Sequence, residues 1–428
     1  MKLYIDPGTG SMLFAILIGI IGALNFLLKG WIIKLRFLLS GGKSNTGEQQ
    51  KIPLAVFVDD KRYWNVMEPV CRELDKRGVD VVYMTASQDD PALNNNCSHI
   101  HAEFIGEGNK AFAKLNFLRA SILLSSTPGL DVYQWKRSRG VDCYVHILHA
   151  ANEVAGYRMF GIDYYDTVFV SGDYQIRNLP EKEVVEIGIP YMDEMKKRLE
   201  LSGPVPEHPT TVLIAPSWGK SSIFNKFGGK IIEKLLSDWF NVLVRPHPQS
   251  YVSETELING LMAAYPPSDR LEWNRDNDNF EVLKKADIII SDFSGVIFDF
   301  TLVYDKPVIY ADTKFDKSPY DCWWLDTPYW TFEILPKIGK QLTNENFDSL
   351  KEMITECLTD PKYAEGRNTA RAQTWVHPGE GAARSALSLY GSVFFTGFPP
   401  PPQRCGLKKP FGFCRAWRSL TLCSSAKN

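Results

Sequence analysis

Two short stretches gather residues suited to binding an anion. In "RPHP" (245–248) a cation and an imidazole, Arg245 and His247, follow the apolar run "NVLV". Each proline fixes φ and keeps the residue before it out of the helical region, so the imidazole has little freedom left to lose. In "SDFSG" (291–295), Ser291, Asp292, Ser294 and Gly295 stand between the run "ADIII" and a helical pattern, "VIFDFTLVYD". A small polar loop that opens a helix offers unpaired N–H groups and the positive end of the helix dipole, which favours a phosphate. Each stretch also has a plainer reading, "RPHP" as a rigid turn and "SDFSG" as an N-cap. What favours a site is that both, with Ser217 in "VLIAPSW" (212–218), end strands of one predicted domain. Open α/β sheets bind ligands beyond the carboxyl ends of their strands. Together these residues suggest a diphosphate cradle with no metal requirement.

A further strand end lies earlier, in "HILHAANEVAG" (146–156). His146 falls within the strand pattern and reads as a core or supporting residue. His149 falls at or past the strand end and is the candidate general base. A metal site on the two histidines needs a third ligand, and Glu153 is the only near candidate. No metal and no cofactor are expected.

The elements that must position these residues repeat a strand–helix–strand order. "IPLAVFVDD" (52–60), "VDVVYMTAS" (79–87), "ASILLSSTPG" (120–129) and "DCYVHILHA" (142–150) read as strands. "YWNVMEPVCRELDKRG" (63–78) has helical spacing and a glycine stop at Gly78. After the Pro-rich break "LSGPVPEHPTT" (201–211) the pattern restarts, with strands in 212–218, 241–244, 286–291 and 306–312 and an amphipathic helix in 228–240. Alternation of this kind, rich in β-branched residues, predicts parallel sheets covered on both faces. The chain has 428 residues, enough for two or three domains. Two Rossmann-like domains facing a cleft are expected, over 51–200 and 201–392. The net charge of −2 excludes a global basic field of the kind that binds nucleic acid.

The ends differ from the middle. "MLFAILIGIIGALNFLL" (12–28) is uncharged, with Asn25 as its one polar residue. It approaches the ~20 residues that span a hydrocarbon core. Lys29, Lys34, Arg36 and Lys43 follow it. A cleaved signal peptide predicts a basic front end and a small-residue cleavage site, whereas here the one lysine in front, Lys2, is balanced by Asp6 and no such site follows. Residues 1–50 are therefore expected to hold a single-pass inner-membrane anchor with the catalytic part cytoplasmic. Cys71, Cys97, Cys143, Cys322 and Cys357 stand singly, which fits a reducing compartment. The tail 393–428, with four consecutive prolines and three cysteines, has no amphipathic period and is expected to be disordered or aberrant.

Several motifs together resemble one family. "LHAANEVAG" (148–156), "YYDTVFVSGDY" (164–174), "IGIPYMD" (187–193), "VLIAPSW", "RPHP", "ADIIISDFSGVIFDFTLVYDKPVIY" (286–310) and "GEGAARSA" (379–386) are similar to segments of the CDP-glycerol glycerophosphotransferases, the teichoic acid polymerases and primases of bacterial cell walls. The similarity runs from about Cys143 to Arg384 and is strongest in the second half. It implies a GT-B-like α/β fold with two Rossmann-like domains. It also implies His149 as the base that deprotonates the acceptor hydroxyl and His247 as a group that stabilises the donor's phosphates. Ser291, Asp292 and Ser294 would surround the phosphates and glycerol, and Arg384 would lie near the cleft. The implied reaction is attack of a hydroxyl on the β-phosphorus of a CDP-activated alcohol, with CMP leaving. Leu148 and Ala150 replace the family's tryptophan and glycine, its nearby lysine is missing, and Gly295 replaces a serine of the donor loop. The donor is thus open among CDP-glycerol, CDP-ribitol, another CDP-alcohol and a nucleotide sugar. The expected partners are a CDP-alcohol donor, a lipid-linked or polymer acceptor and the membrane. The rival readings are a GT-B glycosyltransferase with a nucleotide-sugar donor and a non-catalytic nucleotide-binding membrane protein.

Overall fold

The computed structural model of the protein describes residues 51–148, 151, 160–176, 179, 183–276, 278–311 and 329–394. The expected anchor (12–28), His149 and the tail from 395 onward lie outside them. Among the described residues no helix is long and apolar enough to cross a membrane.

Two parallel sheets organise the chain. The first holds β1 (Ile52–Val58), β2 (Val81–Thr85), β3 (Ile100–Phe104), β4 (Arg119–Ser125), β5 (Gly140–Ile147), β6 (Thr167–Val170) and β7 (Glu183–Glu186), in the order β3-β2-β1-β4-β5-β6-β7. The second holds β8 (Thr211–Ile214), β9 (Asn241–Val244), β10 (Leu271–Trp273), β11 (Ile288–Ser291), β12 (Val308–Ala311) and β13 (Gly339–Leu342), in the order β10-β9-β8-β11-β12-β13. Counted from its own first strand, the second sheet runs 3-2-1-4-5-6, the doubly wound order of dinucleotide-binding folds, and the first runs the same with a seventh strand added. The order reverses between β1 and β4 in the first sheet and between β8 and β11 in the second. Ligands of such sheets bind at that reversal, beyond the strands' carboxyl ends. This is the α/β, GT-B-like architecture with two parallel sheets that the motifs imply.

The central strands β8 and β11 read "TVLI" and "IIIS" and are buried throughout. Continuous apolar runs of this kind are what a parallel strand needs when helices cover both its faces. The helix Lys230–Ser237 buries Ile231, Ile232 and Leu235 against one face of the second sheet. Trp64–Lys76 does the same for the first sheet with Met67, Val70, Cys71 and Leu74.

The chain passes between the halves twice. It leaves the first along the helix Pro190–Leu201 and returns after the helix Pro361–Thr374. The last helix, Gly381–Phe394, lies in the stretch that the sequence groups with the second half, yet it packs on the first sheet. Ala386 and Leu389 are buried there with Leu54, Val56 and Leu124.

Candidate functional site

At the reversal of the second sheet, β8 and β11 run side by side, with Val212 opposite Ile288 and Ile214 opposite Ile290. Their ends are stitched by the Ser291 hydroxyl, which donates to the Ala215 carbonyl at 2.6 Å. One residue on, Asp292 is 2% exposed. Its carboxylate accepts from the N–H groups of Ser217 at 3.0 and 3.1 Å, Ile223 at 3.1 Å and Phe293 at 2.7 Å. Burial pushes its pKa up, and these N–H groups oppose that shift. The loop after β8 is therefore wrapped around Asp292, with the buried Ser217 side chain beside it. Ser217, Ser291 and Asp292 form the foundation of the site beneath its surface. Ser294 and Gly295 come next in the chain and line a cavity of about 610 Å³.

The neighbouring strand supplies the charged groups. The Arg245 N–H donates to the Ile214 carbonyl at 2.9 Å, so it extends the sheet one residue beyond β9. Its guanidinium hydrogen-bonds the Asn274 side chain at the end of β10. A guanidinium has five N–H donors, so this bond leaves others for a ligand. Burial lowers the Arg245 pKa, against the opposite pull of Asp276 and Asp278.

His247 is held on two sides. Its Nδ1 accepts from the Gln249 N–H at 3.1 Å, and its carbonyl accepts from the Ser250 N–H at 2.8 Å. With Nδ1 as the acceptor, the neutral ring carries its proton on Nε2. Burial first, and then the Arg62 charge, hold its pKa down at about 4, against the opposite pull of Glu254. The free site thus presents a neutral N–H donor. "RPHP" is both a turn and a wall of the cavity, since Arg245, Pro246, His247 and Pro248 all line it.

The opposite wall comes from the first half. Arg62, which follows β1, and Asn65 and Arg72 of the helix Trp64–Lys76 face the same cavity. Arg62 is held by Asp60 through two bonds of 2.9 and 3.0 Å, and Arg72 by Glu68 at 2.6 Å. The crossing helix adds Tyr191 and Arg198, and the second half adds Asp299. Of the residues singled out in the sequence, Arg245, His247, Ser294 and Gly295 converge on this space. Arg384 does not line it, and its Nε is held by Glu380 at 2.8 Å on the last helix. His146 is fully buried, with its ring 4.7 Å from that of Tyr165, a core position. Among the described residues no group of three or more His, Cys, Asp or Glu could hold a metal ion. Arg62, Tyr191 and Asp299 escaped the sequence reading. The rule of inspecting strand ends could have found Arg62 in "FVDDKR", whereas Asp299 in "FDF" looks like one more residue of a helix face.

The two chain crossings are clasped beside the site. Asp193 on the crossing helix accepts from Trp375 Nε1 at 2.8 Å and from the N–H groups of Gly379 at 2.7 Å and Gly381 at 2.9 Å. Gly188, with φ +84°, and Gly172 admit the returning chain. A Cβ at these positions would meet the Val376 and Gln373 carbonyl oxygens at 2.4 and 2.2 Å.

Comparison with known proteins identifies a family and a shared fold. A family model, CDP-Glycerol:Poly(glycerophosphate) glycerophosphotransferase, matches residues 163–388. No curated protein matches the sequence. Solved structures share the fold. The UDP co-structure of S. aureus MnaA superposes with a TM-score of 0.57 at 13% identity, covering 81% of this chain and 98% of that one. A putative UDP-N-acetylglucosamine 2-epimerase from Listeria monocytogenes gives 0.52 at 15%, covering 82% and 99%. The glycotransferase of kitacinnamycin gives 0.51 at 12%, covering 80% and 100%.

Proposed function

We propose that this chain, which belongs to the CDP-glycerol:poly(glycerophosphate) glycerophosphotransferase family, moves a glycerol phosphate or a related polyol phosphate from a CDP-alcohol to a hydroxyl acceptor in surface-polymer synthesis. The observation that carries this reading is the convergence of Arg245, His247, Ser294 and Gly295 on one cavity at the reversal point of the second sheet. Such a wall offers a cation, an Nε2–H donor and a small-residue loop to the two phosphates. The acceptor oxygen attacks the phosphorus that bears the alcohol. The bond from that phosphorus to the CMP oxygen breaks, and CMP leaves with the electron pair. The acceptor's proton passes to the His149 imidazole. Charge grows on the leaving phosphate as the bond breaks, and donors fixed in place before the reaction stabilise it there. In this reading the segment 12–28 anchors the enzyme beside a lipid-linked or polymer acceptor.

Thermal shift followed by CMP release tests the proposal. CDP-glycerol is expected to raise the melting temperature and to yield CMP when a polyol phosphate acceptor is supplied. A shift with UDP-N-acetylglucosamine and none with CDP-glycerol would replace this reading by a nucleotide-sugar transferase. Binding without CMP release would make the protein a non-catalytic nucleotide binder.

A further inference from the structure

The cavity holds a carboxylate that the phosphate-facing wall does not use. Asp299 opens the π-helical turn Asp299–Val303, directly after the short α-helical turn Val296–Phe298 that follows Gly295. The sequence predicts a plain helix here. A π-turn inserts an extra residue into the hydrogen-bond ladder and re-aims the side chains around it, and such turns concentrate at functional sites. Asp299 is partly exposed and lines the same cavity as His247, Ser294 and Gly295.

Its partners are neutral. The Tyr191 hydroxyl donates to Oδ1 at 2.9 Å, and the Asn279 side chain reaches the same carboxyl. Arg198 on the same wall pairs with Asp278 instead. Burial pushes the Asp299 carboxyl up to about 6, so at neutral pH it is mostly ionised. A carboxylate accepts about four hydrogen bonds, so two neutral donors leave capacity for a ligand. It repels phosphate and suits hydroxyl groups. Gly295 lies four residues earlier, one helical turn of about 5–6 Å. That span separates a phosphate at Gly295 from a polyol at Asp299.

We infer that Asp299, oriented by Tyr191, reads the alcohol of the donor by accepting hydrogen bonds from its free hydroxyls. The inference rests on the CDP-alcohol reading and adds to it that the donor's alcohol must carry hydroxyls to bind well. The full chain in detergent is titrated by calorimetry with CDP-glycerol and with the propyl ester of cytidine diphosphate, which keeps the diphosphate diester and lacks both hydroxyls. The unaltered protein should prefer CDP-glycerol by about tenfold or more, the worth of hydrogen bonds to a charged group. Asp299→Asn should bring the two ligands to within about threefold of each other, with the propyl ester bound as before. Tyr191→Phe should narrow the preference by a few-fold, and it keeps the test open if the asparagine variant fails to fold.

An unchanged preference in both variants would overturn the inference. So would equal losses for both ligands, which would make the Tyr191–Asp299 bond a structural tie. If the unaltered protein binds both ligands equally, the inference falls and the CDP-alcohol reading stands. If it binds neither, both fall.

Discussion

The two sheets reverse at corresponding places and use them differently. In the first, the Ser125 hydroxyl at the end of β4 donates to the Phe57 carbonyl at 2.7 Å, as Ser291 does to Ala215 in the second at 2.6 Å. Beyond that shared stitch they diverge. Asp59 bonds Thr127 twice, at 2.9 and 3.0 Å, and the Thr127 carbonyl takes the Tyr165 hydroxyl at 2.6 Å. The first reversal is thus closed by its own side chains. In the second, Asp292 ties the loop down from beneath, and the adjacent strand ends in Arg245 and His247, open to the cavity. Topology places a reversal at both. The residues on the next strand decide which of the two is left free for a ligand.

Four experiments can break that contrast. The largest effect is expected at the acceptor side. If the first half supplies the base, His149→Ala should slow CMP release by about 10²–10⁴-fold while calorimetry shows donor affinity nearly unchanged. Lost donor binding would exchange the roles of the halves.

Asp292→Ala should come next. It strands three buried N–H groups, each worth about 1–3 kcal/mol, so denaturant unfolding should show a loss of about 3 kcal/mol or more. Asp59→Ala should cost about 1 kcal/mol, since it removes only the bond from the Thr127 hydroxyl to the carboxylate and keeps the backbone N–H bond to Thr127. Equal losses would mean that the two carboxylates do the same work.

His247→Ala should weaken CDP-glycerol by about ten- to a hundredfold with little change in stability. If affinity stays within a few-fold of the parent, "RPHP" is a turn only.

The last effect is a pH dependence. The unfolded imidazole has a pKa near 6.5, whereas the folded one is held at about 4. Between these values the unfolded chain binds the extra proton, so stability falls as pH drops through that window. From pH 7 to 5 the unaltered protein should lose about 2 kcal/mol relative to His247→Gln. A bound diphosphate raises the folded pKa, so donor affinity should increase as the pH falls. The opposite slope would mean that the ring is already charged in the free site.

How much of this the sequence reveals depends on burial. β1, β2, β4, β5, β8, β9, β11 and β12 stand out as apolar runs because helices cover both their faces. β3, β10 and β13 do not, and all three are sheet edges. β3, "IHAEF", has three exposed residues, and such half-solvated strands carry no continuous apolar run. The edge strand β7 is visible only through the motif after it, and the interior strand β6 only through the motif that contains it. The wall of Arg245, His247, Ser294 and Gly295 is legible for a related reason. Its residues fall in two short stretches, each just past a strand, so a strand-end rule finds both. Arg62, Tyr191 and Asp299 come from three separate elements, and only tertiary packing assembles them. The roles of Ser291 and Asp292 differ from expectation in kind, since both polar side chains are spent on backbone groups of the neighbouring loop. Nothing in a single sequence separates a serine that meets a ligand from one that staples two strands.

The Asp193 clasp has a consequence for how the molecule can change over time. It joins the helix by which the chain enters the second half to the segment by which it leaves. Everything between, about Pro190 to Trp375, is therefore a module joined to the first half at one seam, beside which Tyr174 packs on Trp330. Insertions are tolerated where the joined ends lie close together and few other contacts must be remade. The second half can thus be exchanged as a cassette, with Asp193, Gly379 and Gly381 as its seam. On the proposed function, a chimera cut at that seam would take its donor from one parent and its acceptor from the other.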